Sequence, residues 1–195
     1  MIDQRGRSWL MKHVVSPIGK VLVRLRVTAS MVTMLGLVVT VAGSVILANG
    51  HTVTGALVIG LGGAIDGVDG TVARMTGTAS SRGAFLDTIS DRVGELAMFS
   101  GVAWLVAGDS LLVVLTVISL GNSMLIPYIR SRAEAEGLDG MGGLMGRAER
   151  IILFCILILP VGLGWYGAEI MLWPMVALTS ITVGQRFAKA WSGLK

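Results

Sequence analysis

The chain has 195 residues, 53% hydrophobic and only 14% charged, with a mean hydropathy of +0.77. A soluble domain carries about 45–50% apolar and about 25% charged residues, and a small domain has too much surface for its volume to hide the excess in one core. These values disfavour a soluble enzyme, a disordered chain and a disulfide scaffold. The single cysteine, Cys155, stands in an apolar run, so no intramolecular bridge and no thiolate cluster can form. The net charge is +4. Nucleic acid could use such charge, but there is no soluble module to present it. Membrane lipid is the expected partner.

In chain order, residues 1–28 read as a juxtamembrane amphipathic segment. Within it, 8–27 interleaves apolar positions with Lys12, Lys20, Arg24 and Arg26, the pattern of an interfacial helix, broken or kinked near Pro17. The opening residues are basic and lack the apolar core of a cleavable signal peptide. Ser30 is placed to cap the helix that follows. Residues 31–48 carry no charge and are long enough to span a bilayer. Further apolar runs follow at 53–65, 93–107, 111–129, 151–164 and 170–184, and the shorter ones reach about 20 residues by extending into their flanks. The expectation is an all-α integral membrane protein of six transmembrane helices in a single domain, 1–195. Strand-type alternation over about 10 residues is absent, which disfavours a barrel.

The linkers 49–52, 108–110 and 163–169 contain no Lys or Arg. Every basic residue falls in the alternate segments, so the positive-inside rule places both termini and the loops after the second and fourth runs in the cytoplasm. The expected location is the plasma membrane, with a cytoplasmic active site.

Five acidic residues cluster near the facing ends of the second and third runs: Asp66, Asp69, Asp87, Asp91 and Glu95. An acid at a helix centre costs about 2.5–3.5 kcal/mol on insertion scales, so an intramembrane carboxylate is a functional candidate by default. Asp66 and Asp69 are three apart and Asp87 and Asp91 four apart, so on helices each pair shares a face. Such pairs repel unless a cation lies between them. Two pairs on adjacent antiparallel helices would converge four carboxylates. Oxygen-only ligation suits Mg²⁺ or Mn²⁺, and four carboxylates suffice for two ions, an arrangement used in phosphoryl chemistry. No His or Cys belongs to the cluster, which disfavours zinc. His13 and His51 read as interfacial residues. Gly62, Gly63, Gly67, Gly70, Gly77 and Gly83 surround the acids, and small residues there permit close helix approach or leave room for a ligand.

Read together, Asp66-x-x-Asp69-Gly70-x-x-Ala73-Arg74, an eight-residue spacer and Gly83-x-x-x-Asp87-x-x-x-Asp91 resemble the signature of the CDP-alcohol phosphotransferase family. The resemblance implies displacement of CMP from CDP-diacylglycerol by an alcohol, and a homodimer. It implies that Asp66, Asp69 and Asp87 hold two metal ions, and that Asp91 completes the metal site and acts as general base. It further implies that Gly70, Arg74 and a hydroxyl near Ser80 contact the CDP moiety. Glu95, one turn beyond Asp91, either tunes the site or is a buried, hydrogen-bonded carboxyl.

Arg130, Arg132, Arg147 and Arg150 flank the loop after the fourth run, and Arg186 lies late in the sixth. Guanidinium forks fit phosphate oxygens, so these residues suit a phosphorylated acceptor, whereas a neutral one would not need them. Tyr128-Ile129-Arg130-Ser131-Arg132-Ala133-Glu134 and Arg147-Ala148-Glu149-Arg150 resemble segments of the family's actinobacterial phosphatidylinositol phosphate synthases. That resemblance assigns Arg130, Arg150 and Arg186 to inositol phosphate. In place of the common Thr-Pro-Asp entry to the first helix the chain has Thr28-Ala29-Ser30. Phosphatidylglycerophosphate synthase is the rival within the family. A cation transporter is the rival outside it, but that would spread acids through the membrane depth.

Overall fold

The structure, a computed structural model, describes residues 16–194. Regular structure among them is entirely helical: α1 (Ser16–Arg24), α2 (Ala29–Ala48), α3 (Thr52–Asp66), α4 (Asp69–Thr76), α5 (Ser81–Leu105), α6 (Ser110–Ala135), α7 (Arg147–Gly162) and α8 (Glu169–Gly193). Each long apolar run forms one of the six helices α2, α3, α5, α6, α7 and α8. The helices overrun the apolar stretches mainly at their charged ends. α5 begins at Ser81, far ahead of the uncharged part, and α8 continues to Gly193. Hydropathy stops at the first charge, but the i to i−4 hydrogen-bond ladder does not.

One local expectation changes. Thr28, not Ser30, caps α2: Thr28 is extended and its hydroxyl accepts from the Met31 amide at 3.3 Å, while Ser30 already lies inside the helix. Pro17 stands in the first turn of α1 as described, a position that proline tolerates. Residues 8–15 of the expected interfacial segment, and His13 with them, lie outside the described residues.

The six long helices form a closed ring. α2 packs on α3, α3 on α7, α7 on α8, α8 on α6, α6 on α5, and α5 back on α2. α1 lies against α4. The α2–α3 contact is nearly backbone to backbone, since a Cβ on Gly43 would sit 2.8 Å from the Ile59 nitrogen and one on Gly36 3.0 Å from the Gly62 carbonyl. This approach presses Asp66 against α2. One apolar cluster fills the ring, with Leu47, Ile59, Phe99, Leu115, Phe154 and Met171 drawn from all six helices. Phe99 and Phe154 meet edge to face with centroids 6.5 Å apart.

Three helical stretches are long and apolar enough to cross a membrane: Ala29–Ala48, Thr52–Thr76 and Ser110–Ala135. The outside of the ring is apolar as well, with Leu35, Val38, Leu57, Leu61, Trp104, Val117, Ile156 and Ile181 exposed. A continuous surface of this kind marks a membrane-facing protein.

Candidate active site

The sequence around Asp66 and Asp69 does not run as one straight helix. α3 ends at Asp66, Gly67 and Val68 intervene, and α4 starts at Asp69. The Val68 amide bonds the Ile65 carbonyl at 3.0 Å, a tightened turn that re-aims the chain. α4 closes at Gly77, whose φ of +65° is the left-handed cap that glycine adopts without strain. After this turn α5 brings Asp87 back to the pair. One carboxylate oxygen each from Asp66, Asp69 and Asp87 lies within 4.8 Å of the others. This group could hold a divalent metal ion, and its all-oxygen donors fit a hard cation such as Mg²⁺ or Mn²⁺.

Asp91 lies one turn further along α5 and is not in that triad. Its Oδ1 lies 2.6 Å from Arg147 Nη1, and the same nitrogen donates to Asp66 Oδ2 at 2.5 Å. The expected convergence of four carboxylates is therefore three around one point, with the fourth joined to them through a guanidinium. Asp69 is steadied from α2, where the Thr33 hydroxyl donates to Oδ2 at 2.6 Å, and its Oδ1 accepts from the Gly70 amide.

A cleft of about 460 Å³ opens beside Asp69 and Asp87. The sequence-expected CDP residues Gly70, Arg74 and Ser80 all line it, together with Gly83. Arg74 is exposed, spends one donor on Thr71 Oγ1 at 3.0 Å, and keeps the rest for a ligand. Ser80 caps α5 by accepting from the Gly83 amide at 3.2 Å, which leaves its own O–H free. Thr28, Ser30 and Thr33 form the opposite wall. Arg26 reaches the same cleft from the α1–α2 turn at φ 60°, a left-handed conformation uncommon outside glycine.

The three arginines expected at the acceptor are all engaged. Arg130 is exposed and pairs with Glu134 at 2.8 Å. Arg186 donates to the carbonyls of Gly142 and Ile126, each at 2.9 Å. Arg150 is only 2% exposed and pairs with Glu95. The Ile126 carbonyl that Arg186 uses lies one turn before Arg130 on α6. The α6–α7 loop is tied to α8 there. Gln185 accepts from the Leu144 amide at 2.8 Å, and Lys189 donates to Asp139 at 2.7 Å. The Lys189 hydrogen bond holds the exposed Asp139 carboxyl below its ordinary pKa.

The sequence assigns no role to Thr33 or Arg92, and it groups Arg147 with the arginines of a phosphorylated acceptor rather than with Asp66 and Asp91. The signal for Thr33 is a hydroxyl inside an apolar run, one turn from the helix start. For Arg92 and Arg147 it is a basic residue adjoining a signature acid, or opening the Arg147-to-Arg150 segment, which positive-inside charge masks.

This helical ring, with its carboxylate triad beside an open cleft, matches a known family. The CDP-alcohol phosphatidyltransferase family model covers residues 26–181, and the chain belongs to that family. Among its relatives are two proteins named phosphatidylinositol phosphate synthase. The one from Mycobacterium marinum is 38% identical over 193 residues, 92% of this chain and 80% of that protein. The one from Corynebacterium glutamicum is 34% identical over 183 residues, 91% of this chain and 84% of that protein. The crystal structure of the Mycobacterium tuberculosis phosphatidylinositol phosphate synthase with CDP-DAG bound superposes with a TM-score of 0.83 at 33% identity, covering 91% of this chain and 94% of that one. The same enzyme in complex with manganese and citrate gives a TM-score of 0.81, covering 91% and 89%.

Proposed function

We propose that the protein is a phosphatidylinositol phosphate synthase, transferring the phosphatidyl group of CDP-diacylglycerol to inositol phosphate and releasing CMP. The observation that carries this reading is the arrangement of the segment 66–91. Gly70, Gly83, Arg74 and Ser80 line one cleft, with Asp69 and Asp87 at the edge of that cleft and Asp66 beside them. The named activity of the relatives and the bound CDP-DAG of a neighbour support the same reaction.

Asp66, Asp69 and Asp87 would hold one or two Mg²⁺ or Mn²⁺ ions, with Asp91 completing the site; bound there, they supply charge neutralisation for the diphosphate. Arg74 and the Ser80 hydroxyl orient the CDP moiety. An acceptor hydroxyl oxygen forms a bond to the phosphatidyl phosphorus, and the bond from that phosphorus to the CMP oxygen breaks. Asp91 takes the hydroxyl proton, and Arg147 and Arg92 hold that carboxylate in place. Arg130, Arg150 and Arg186 receive the acceptor phosphate. On this reading the six long helices each cross the plasma membrane in a single domain. Both termini and the site are cytoplasmic, α1 lies at the interface, and two chains form a homodimer.

A panel assay tests the reaction. Purified protein, CDP-diacylglycerol and Mg²⁺ are incubated with inositol phosphate, inositol, glycerol phosphate or serine, and CMP release is followed. Release with inositol phosphate alone is expected. Preference for glycerol phosphate would make the protein a phosphatidylglycerophosphate synthase instead.

A further inference from the structure

Glu95 is an acid that the signature does not contain. It lies on α5, one turn beyond Asp91, and is 3% exposed. A carboxylate buried at this depth is costly unless both oxygens are occupied by cations. Both are. Oε2 accepts from Arg92 Nη1 at 2.7 Å on the same helix, and Oε1 accepts from Arg150 Nη2 across on α7. Arg92 carries the link onward, with Nη2 3.6 Å from Asp91 Oδ2 and Nη1 3.2 Å from the Ser123 carbonyl.

The donors around Glu95 are not all used. Arg92 is matched by a second carboxylate, Asp91, so the charges balance, but the buried Nε of each guanidinium, in Arg92 and in Arg150, has no hydrogen-bond partner. A purely structural buried pair would use its donors. Arg150, whose one ion-pair partner among the described residues is Glu95, keeps an unmade donor in the interior. A phosphate oxygen is an acceptor that suits it.

We infer that Glu95 is a positioning residue for the acceptor. It fixes the Arg150 guanidinium for the acceptor phosphate and, through its other oxygen, holds Arg92 beside Asp91. One carboxylate thus ties phosphate recognition to the group that takes the hydroxyl proton. The inference rests on the phosphorylated-acceptor reading above. Glu95 itself touches no substrate. Without it, the buried Arg150 loses its only ion-pair partner among the described residues, and Arg92 keeps only Asp91.

The test uses the full-length enzyme with CDP-diacylglycerol, Mg²⁺ and inositol phosphate, and the variants Glu95→Gln, Glu95→Asp, Arg150→Gln and the double Glu95→Gln/Arg150→Gln. Loss of a charged hydrogen bond typically changes affinity by about 10- to 150-fold. Glu95→Gln is expected to raise the KM for inositol phosphate within that range and to leave the KM for CDP-diacylglycerol nearly unchanged. Glu95→Asp, which keeps the charge, is expected to recover part of the loss. The double variant should be no worse than Arg150→Gln alone, because Glu95 acts through Arg150. An equal rise in both KM values, a lower melting temperature with both KM values intact, or a double variant whose losses multiply would overturn the inference. If Glu95→Gln does not fold, the Glu95→Asp enzyme decides: an unchanged KM for inositol phosphate counts against it and a selective rise supports it. A wild-type enzyme that releases no CMP with inositol phosphate defeats the parent reading. A wild-type enzyme that does, with an unmoved Glu95→Gln, defeats only this one.

Discussion

Two stretches of α5, barely two turns apart, solve opposite electrostatic problems. At Asp87 the helix joins Asp66 and Asp69 to make a surplus of negative charge beside an open cleft. At Glu95 it meets Arg92 and Arg150, so that one carboxylate is held between two guanidiniums, with Glu95 and Arg150 buried. Asp91 and Arg147 stand between the two poles, with Arg147 reaching back to Asp66. The first pole wants a cation and the second an anion. A reaction between a metal-bound diphosphate and a phosphorylated alcohol brings both, and it brings them to neighbouring turns of one helix. Burial sets what a lost partner costs the fold, not what it costs the reaction. Asp69 and Asp87 face a cleft, where water and ions can compensate, whereas Glu95 and Arg150 are buried, so a missing partner there leaves a charge uncompensated.

The largest effects are expected at the anionic pole. Chelation should abolish CMP release, and added Mg²⁺ or Mn²⁺ should restore it. Full activity in excess chelator would remove the cation from that pole and leave the carboxylates without a purpose. Asp91→Asn should come next, with turnover falling by about 10²- to 10⁴-fold, the usual worth of a general base. CDP-lipid binding should largely survive, because Asp91 is outside the triad. Near-wild-type turnover would show that the residue between the poles only links them.

Much of the anionic pole was legible in the sequence because its residues are local. Asp66 to Asp91 is one continuous segment, and its spacing carries both the chemistry and the family resemblance. The cationic pole was legible only as a set of residue types. Glu95 and Arg150 are far apart in the chain and meet only when α5 and α7 join the ring, so no spacing reveals the pair. Arg130, Arg150 and Arg186 look alike as letters. The fold makes the first an exposed partner of Glu134, the second a buried partner of Glu95, and the third a donor to two carbonyls. The α3–α4 break escaped for another reason. Gly67 (φ −59°, ψ −7°) and Val68 (φ −92°, ψ −22°) stay in the right-handed region, so the break comes from shifts of about 20–35° from ideal helix torsions, with no proline or left-handed residue to announce it.

A smaller effect sharpens the contrast. Arg150→Gln should raise the KM for inositol phosphate by about 10- to 150-fold, since a hydrogen bond to a charged group is worth about 1.5–3 kcal/mol. The KM for CDP-diacylglycerol should hardly move, because that ligand belongs to the other pole. A change in the CDP-diacylglycerol KM alone would exchange the roles of the two regions.

The smallest effect concerns the loop that walls the cationic pole. Lys189 on α8 donates to Asp139 at 2.7 Å, and also to the Met141 carbonyl at 2.5 Å, just ahead of the Gly142 carbonyl that Arg186 uses. The hydrogen bond from Lys189 keeps the folded pKa of Asp139 below the ordinary aspartate value of about 3.9. A depressed carboxylate stabilises the fold above its unfolded pKa and loses that contribution as pH falls through the folded value. The tether is therefore intact at neutral pH and through mild acid, and weakens only below the ordinary aspartate range. Because Asp139 is fully exposed, salt should screen much of the effect. Melting temperatures of the wild type and Asp139→Asn, taken in low salt as the pH is lowered from 7, should differ by a small constant amount down to about pH 4 and converge below it. The gap should shrink in high salt. A gap that closes well above pH 4 would mean that the Asp139 carboxylate is not the group that holds the loop.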